Sequence, residues 1–139
     1  MIESKTLIII PVFNGADYIK KSLESCLIQT LKTHILVVDN CSIDNTQQIV
    51  KDYAKKNNCI KLIVNKRNHG RIGNLNVCLD HFMNSQYKYL KLLFVGDELV
   101  ENSIEIVENI FLNKRLLLET NQDYHSSIYQ SLCILHSLS

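Results

Sequence analysis

Two acids, two amides and two hydroxyls crowd into the stretch Val38-Asp39-Asn40-Cys41-Ser42-Ile43-Asp44-Asn45-Thr46, directly after an apolar run. A carboxylate such as Asp39 in that place can accept the imide N–H of a uracil or the amino group of another base. Asn40 and Ser42 can serve ribose or phosphate oxygens. The same residue types also cap helices, and that role suits Ser42 and Asp44 before the segment that follows. Asp39 lies ahead of any cap position, so a ligand role fits it better. A second apolar run, residues 6–10, ends in a comparable way at Pro11-Val12-Phe13-Asn14.

Two further stretches could do chemistry. Asn68-His69-Gly70-Arg71-Ile72-Gly73-Asn74-Leu75-Asn76 has two glycines that permit a tight loop, and Arg71 can neutralise a phosphate. It contains neither the G-x-G-x-x-G spacing of dinucleotide sites nor the Gly-Lys-Ser/Thr of a Walker A loop. A plain loop and helix cap is the alternative for it. Gly96-Asp97-Glu98 is an acidic pair of hard oxygen ligands, suited to Mg²⁺ or Mn²⁺ bridging a diphosphate. An acid there can equally be a turn or cap residue.

The elements that must position these residues follow from the hydrophobic period. Residues 6–10 form a buried strand closed by Pro11, which supplies no ladder donor. Residues 16–31 place Ile19, Leu23, Cys26, Leu27 and Leu31 at helical spacing. Residues 35–38 make the second strand. A helix capped by Ser42 or Asp44 then runs to about Lys56, burying Ile49, Val50, Tyr53 and Ala54. Residues 60–64 make a third strand, followed by a helix with Leu75, Leu79 and Phe82 facing inward. Residues 89–95 make a fourth strand. The last regular helix starts near Asn102 or Ser103 and buries Ile104, Val107, Ile110 and Phe111. Strict βα alternation predicts an α/β fold, a Rossmann-like three-layer α/β/α domain with a mainly parallel sheet. Ligands of such sheets sit at the carboxyl ends of the strands, where all three polar stretches fall.

The totals fit one soluble domain. The chain has 139 residues, 46% apolar and 21% charged, with a formal net charge of +1. That balance, with Lys and Arg scattered, predicts no nucleic-acid partner. The longest apolar runs fall far short of the roughly 20 residues of a membrane helix, and no signal peptide is expected. Five cysteines without a C-x-x-C pair suit reduced thiols in a cytosolic protein. The five histidines lack zinc-site spacing.

Taken in order, Pro11-Val12-Phe13-Asn14, Gln29-Thr30, the 38–46 stretch, the 68–76 stretch and Gly96-Asp97-Glu98-Leu99 resemble the family-2 glycosyltransferases of GT-A fold. The resemblance covers about residues 5–112. It implies transfer of a sugar from a nucleoside diphosphate donor, expected to be a UDP-sugar, to an acceptor hydroxyl, with Mg²⁺ or Mn²⁺ as cofactor. By position, Phe13 resembles the aromatic stacked near the base, with Pro11 and Asn14 shaping that wall, and Asp39 the base-reading carboxylate. Asn40, Ser42, Asn68, Gly70, Arg71 and Asn76 fall in the donor-binding stretches, and Asp97 resembles the metal ligand. The acceptor, a glycan or lipid-linked group, is not specified. The resemblance further implies polysaccharide biosynthesis in the cytoplasm, or peripherally at the inner face of the membrane.

The chain departs from the family pattern in three places. Asn40 stands where a second acid is usual, Gly96 stands where an acid commonly precedes the metal ligand, and Glu98 is the nearest substitute. After Leu112 nothing resembles the acceptor-facing half with its catalytic base, so the catalytic residue is unknown and the domain is expected to be a truncated GT-A half. Residues 1–112 form the expected nucleotide-sugar-binding region. Residues 113–139 form a divergent tail in which Ile128, Leu132 and Leu135 suit one short helix. With the strand order 3-2-1-4 that the resemblance implies, the fourth strand would be an open edge, which the tail covers or a second copy pairs with. The competing readings are a catalytically inactive nucleotide-binding remnant, and a dehydrogenase or flavodoxin-like domain without the glycine fingerprint.

Overall fold

A computed structural model describes residues 3–120 and 134–135. Its elements are β1 (Glu3–Val12), α1 (Ile19–Leu27), β2 (Lys32–Asp39), α2 (Thr46–Lys56), β3 (Ile60–Val64), α3 (Gly70–Met83), β4 (Tyr89–Leu92), α4 (Ser103–Thr120) and β5 (Ile134–Leu135). The sheet order is β3-β2-β1-β4-β5, with the first four strands parallel and β5 antiparallel to β4. The Rossmann-like three-layer α/β/α expectation is met.

The layers follow from strand alternation. Ile8, Ile10 and Val12 of β1, with Ile35 and Val37 of β2, pack on Leu23 of α1, Val50 of α2 and Ile104 of α4. Leu7 and Ile9, with Leu36 and Val38, face the other way onto Cys78 and Phe82 of α3. Strands covered on both faces read as continuous apolar runs, which is why the central pair is so rich in Ile and Val. Pro11 sits inside β1 and does not end it, pairing with Val38. Val12, its neighbour, bonds toward β2 through its carbonyl, so Pro11 faces the β4 side, where the paired residues have already ended at Leu92. The donor that proline lacks is therefore not needed.

Several element bounds differ from the sequence reading. α1 starts at Ile19 and not at 16, because residues 15–18 form a turn in which the Tyr18 and Ile19 N–H groups both donate to the Gly15 carbonyl, at 3.0 and 2.9 Å. β4 stops at Leu92, three residues early. The inner face of α3 is Asn74, Cys78 and Phe82, while Leu75 and Leu79 are only partly buried. On α4, Ile104 is buried, but Ile110 is exposed. The same helix passes through Leu112 without a break. Leu135, expected on a short helix, lies in β5; Ile128 and Leu132 lie outside the described residues.

Cys26, Cys41, Cys59 and Cys78 are free thiols. Burial pushes both Cys26 and Cys78 up to about 12, so each packs as a small apolar group. Among the described residues no helix is long and apolar enough to cross a membrane.

Candidate functional site

The loops leaving β1 and β2 are stitched together at the carboxyl edge of the sheet. The Asn14 N–H donates to Ser42 Oγ at 2.8 Å, the Gly15 N–H to Thr46 Oγ1 at 2.9 Å, and the Ala16 N–H to Asp44 Oδ2 at 3.0 Å. In return the Ile43 N–H donates to Asn14 Oδ1 at 3.0 Å. Asn14 and Cys41 occupy the left-handed region, at φ 50° and 64°. Such strain persists only where surrounding bonds fix the backbone, and the stitched loops do so. Asp44 also accepts the Thr46 N–H at 3.0 Å, closing a turn just before α2, but the N-cap position itself is Asn45, which makes no side-chain cap bond, so neither Ser42 nor Asp44 is the cap that the sequence suggested. Desolvation opposes charge on Asp44, but the bonds from Thr46 and Ala16 outweigh it and hold the carboxyl below its ordinary value. Ser42 serves the β1 loop instead of the helix.

Asp39, at the end of β2, is fully buried. Its Oδ2 accepts the Ser42 N–H at 2.9 Å and Gln47 Nε2 at 2.9 Å. Its Oδ1 is buried with no hydrogen-bond partner among the described residues. Buried polar atoms are rarely left unpaired, because the lost hydration costs about 1–3 kcal/mol. This carboxylate oxygen can take one more donor.

A cleft of about 220 Å³ opens above β1 and β2. Pro11 and Phe13 form one wall, Asn40 and Asn74 the floor, and Asn68, Gly70 and Arg71 the entry to α3. Phe94 closes the β4 side, with the Arg71 guanidinium 5.7 Å from its ring centroid, a cation–π distance. Gly70 lies at φ 72°, a conformation that favours glycine.

The chain then turns after β4 to present Asp97. The Asp97 N–H donates to the Phe94 carbonyl at 2.9 Å, and Gly96 lies at φ 96°. A side chain at Gly96 would meet nothing closer than 3.8 Å, so backbone conformation, not crowding, demands glycine where an acid is usual. Ser22 of α1 grips this turn, donating to the Asp97 carbonyl at 2.8 Å and accepting the Gly96 N–H at 2.9 Å. Gln29 fixes the far end of the loop. Its Nε2 donates to the Val100 carbonyl at 2.8 Å, and its Oε1 accepts the Ile104 N–H at 3.1 Å, an otherwise orphaned donor of the first turn of α4. Thr30 adds its N–H to the Glu101 carbonyl at 2.9 Å and its hydroxyl to Glu105 at 2.7 Å. The Gln29-Thr30 motif is thus a clamp on the loop that carries Asp97.

The Asp97 carboxylate is exposed and makes no hydrogen bond or ion pair among the described residues. No cluster of three or more metal-ligating side chains occurs among them. A single free carboxylate still fits Mg²⁺ or Mn²⁺, since such ions are commonly held by one or two carboxylates plus substrate phosphates.

The structure gathers Pro11, Phe13, Asn40, Asn68, Gly70 and Arg71 around one cleft, with Asp39 buried at the tip of β2 beside Asn40. Asn14 and Ser42 form the loop stitching. Asn76 does not join them; it lies on the exposed face of α3, because the helical period turns Asn74 and Cys78 inward. Asn65, Asn74, Ser22 and Phe94 were missed in the sequence. Asn74 carried a signal, since it falls at i−4 from Cys78 and i−8 from Phe82 on one helical face.

Solved structures with this arrangement are GT-A glycosyltransferases. Staphylococcus aureus TarS, residues 1–349 in complex with UDP, matches with a TM-score of 0.70 and 25% identity, covering 79% of this chain and 32% of TarS. A Pyrobaculum calidifontis mannosyltransferase in complex with GDP-Man and Mn²⁺ shares the fold, with a TM-score of 0.61 at 22% identity, over 69% of this chain and 28% of its own. Fold and cleft therefore define the class as a GT-A α/β domain. The family model for glycosyl transferase family 2 matches residues 7–90, and the chain belongs to that family. An uncharacterized glycosyltransferase of Mycoplasma genitalium is 32% identical over 107 residues, 75% of this chain and 35% of the relative. One from Rickettsia prowazekii is 38% identical over 108 residues, 77% and 31% respectively. The chain spans about a third of the length of these relatives.

Proposed function

We propose that this chain is the donor-binding part of a glycosyltransferase, taking a nucleoside diphosphate sugar, in the first place a UDP-sugar, with Mg²⁺ or Mn²⁺. The observation that carries this is Asp39 Oδ1, a buried carboxylate oxygen short of one donor beside an aromatic-walled cleft. An imide N–H of uracil meets that need. Phe13 offers its exposed ring to the base, Pro11 and Asn14 shape the wall, and Ser42 keeps that wall in place. Asn68, Gly70 and Arg71 face the phosphates, where the guanidinium neutralises charge. Asp97 would hold the cation, which supplies positive charge against the leaving diphosphate.

The reaction of such a domain is attack of an acceptor hydroxyl on the anomeric carbon, expelling the nucleoside diphosphate with inversion. That step needs a base to take the hydroxyl proton. No acid or histidine lines the cleft among the described residues, which favours a second reading in which this chain binds donor without turning it over. The acceptor would be a glycan or lipid-linked group in polysaccharide biosynthesis, reached from the cytoplasm or the inner membrane face. Titration of the purified chain with UDP, with and without Mn²⁺, tests the proposal. Metal-dependent binding that is lost in Asp97→Ala is expected; metal-independent binding or none would overturn it. Added UDP-sugar and water or acceptor then separate the two readings by release of UDP.

A further inference from the structure

Asn40 is bonded to capacity inside the protein. Its Nδ2 donates to Asn68 Oδ1 at 2.9 Å and to the Gly70 carbonyl at 3.1 Å. Its Oδ1 accepts Asn65 Nδ2 at 3.0 Å and the His69 N–H at 2.9 Å. A side-chain amide has two N–H donors and an oxygen with two acceptor positions, so no bonding capacity remains for a ligand. The residue is only 3% exposed. Three of its four partners lie in residues 68–70, the segment that delivers Arg71 to the cleft. On its other side Asn65 Nδ2 also donates to Asn74 Oδ1 at 2.8 Å, and Asn74 Nδ2 donates to the Val38 carbonyl at 3.2 Å. The tips of β2 and β3 and the start of α3 are thereby joined through side-chain amides.

We propose that Asn40 is a positioning residue: its side-chain amide gives the donor no hydrogen bond, and it holds residues 68–71 so that Arg71 faces the diphosphate. This rests on the nucleotide-sugar reading above and replaces the direct ligand role that the sequence suggested for Asn40. The lock requires an amide because it needs donation and acceptance from one planar group. An aspartate has nearly the same shape, but when ionised it only accepts. Asn68 can turn its own amide to meet a carboxylate, but then it gives up the Gly70 N–H, which it now accepts at 2.7 Å. The Gly70 carbonyl cannot turn at all without moving the chain that precedes Arg71.

The experiment compares Asn40→Asp with the parent chain by titration with UDP and with uridine, and by amide hydrogen exchange. UDP binding about tenfold weaker is expected from loss of the charged contact, with uridine binding unchanged. Exchange should quicken at Gly70, whose N–H Asn68 Oδ1 now accepts, while β1 stays protected, and adding Arg71→Met should weaken UDP binding no further. Equal losses for uridine and UDP would show direct contact with the nucleoside and overturn the proposal, as would unchanged exchange at residues 69–71. If lost protection in β1 shows that Asn40→Asp does not fold, Asn68→Ala at the exposed rim carries the test. It removes an acceptor from both Asn40 and Gly70, and because Asn68 itself faces the phosphates the readout is exchange: the His69 N–H, which Asn40 Oδ1 accepts, must lose protection, and unchanged exchange there overturns the proposal. A parent chain that does not bind UDP is a failure of the nucleotide reading itself. A parent that binds UDP, with a variant that binds it equally well, is a failure of the positioning role alone.

Discussion

Asp39 meets two demands with one carboxylate, and a conservative substitution separates them. Its Oδ2 ties the 39–47 turn through Ser42 and Gln47, while its buried Oδ1 has no partner. In Asp39→Asn the carbonyl oxygen can keep both turn bonds, leaving an NH₂ where the free oxygen stood. Stability should change by less than about 1 kcal/mol, since the donors stay paired, whereas UDP affinity should fall tenfold or more because an NH₂ cannot accept an imide N–H. Calorimetric titration beside thermal melting checks this, and retained UDP affinity would refute the base-reading role. Asp44 answers to pH instead. Its carboxyl is held below its ordinary value of 3.8, so its contribution to stability is complete above that pH and vanishes as the pH falls through the lower, folded value. The group is exposed, so the contribution should stay under about 1 kcal/mol. Urea unfolding of the parent and Asp44→Asn between pH 7 and 3 should show a gap that closes only at the acid end; a constant gap would exclude this linkage.

At the scale of elements, α1 does more than cover the sheet. Through Ser22 and through Gln29, two residues past its end, it and the chain leaving it hold both ends of the loop between β4 and α4. Gln29→Leu keeps the bulk but removes the Val100 carbonyl's donor and strands the buried Ile104 N–H, a group that costs about 1–3 kcal/mol when left unpaired. Lower thermal stability and weaker Mn²⁺-dependent UDP binding are expected together. A variant that melts earlier but keeps full metal dependence would show that the clamp does not position Asp97. These contacts join residues 71 to 75 positions apart in the chain, which is why the Gln29-Thr30 motif could be noticed in the sequence but not explained. Strand positions were legible because buried parallel strands are unbroken apolar runs, and β3 matches residue for residue. The face of α3 was not legible from hydrophobicity. The buried Val38 carbonyl and Asn65 need polar partners, and Asn74 is turned inward to supply them at the expense of Leu75. The site residues could be picked out by type at strand ends, whereas Asn40 as a lock required the positions of four amides at once.

For the whole molecule, the layers explain where it remains vulnerable. β1 and β2 are flanked by strands on both sides and by helices on both faces, but among the described residues β4 has only the two residues of β5 beyond it, at Tyr89–Leu135 and Leu90–Ile134. An unpaired strand edge is a template for another chain. The antiparallel pairing of β5 supplies part of the cover that the sequence led one to expect for this edge. Ile134→Pro removes a backbone donor and disfavours extended pairing at that position, without touching the cleft, whose lining includes neither residue of β5 nor its partners Tyr89 and Leu90. The parent chain should sediment as a monomer, and Ile134→Pro should associate as concentration rises while still binding UDP. The two properties report on different parts of the fold, so they should separate. If the variant remains monomeric at the concentrations where the parent does, the β4 edge is not adhesive and β5 is dispensable as its cover. If association instead abolishes UDP binding, the edge and the cleft are coupled through β1, and the donor site cannot be treated as independent of what lies beyond β4.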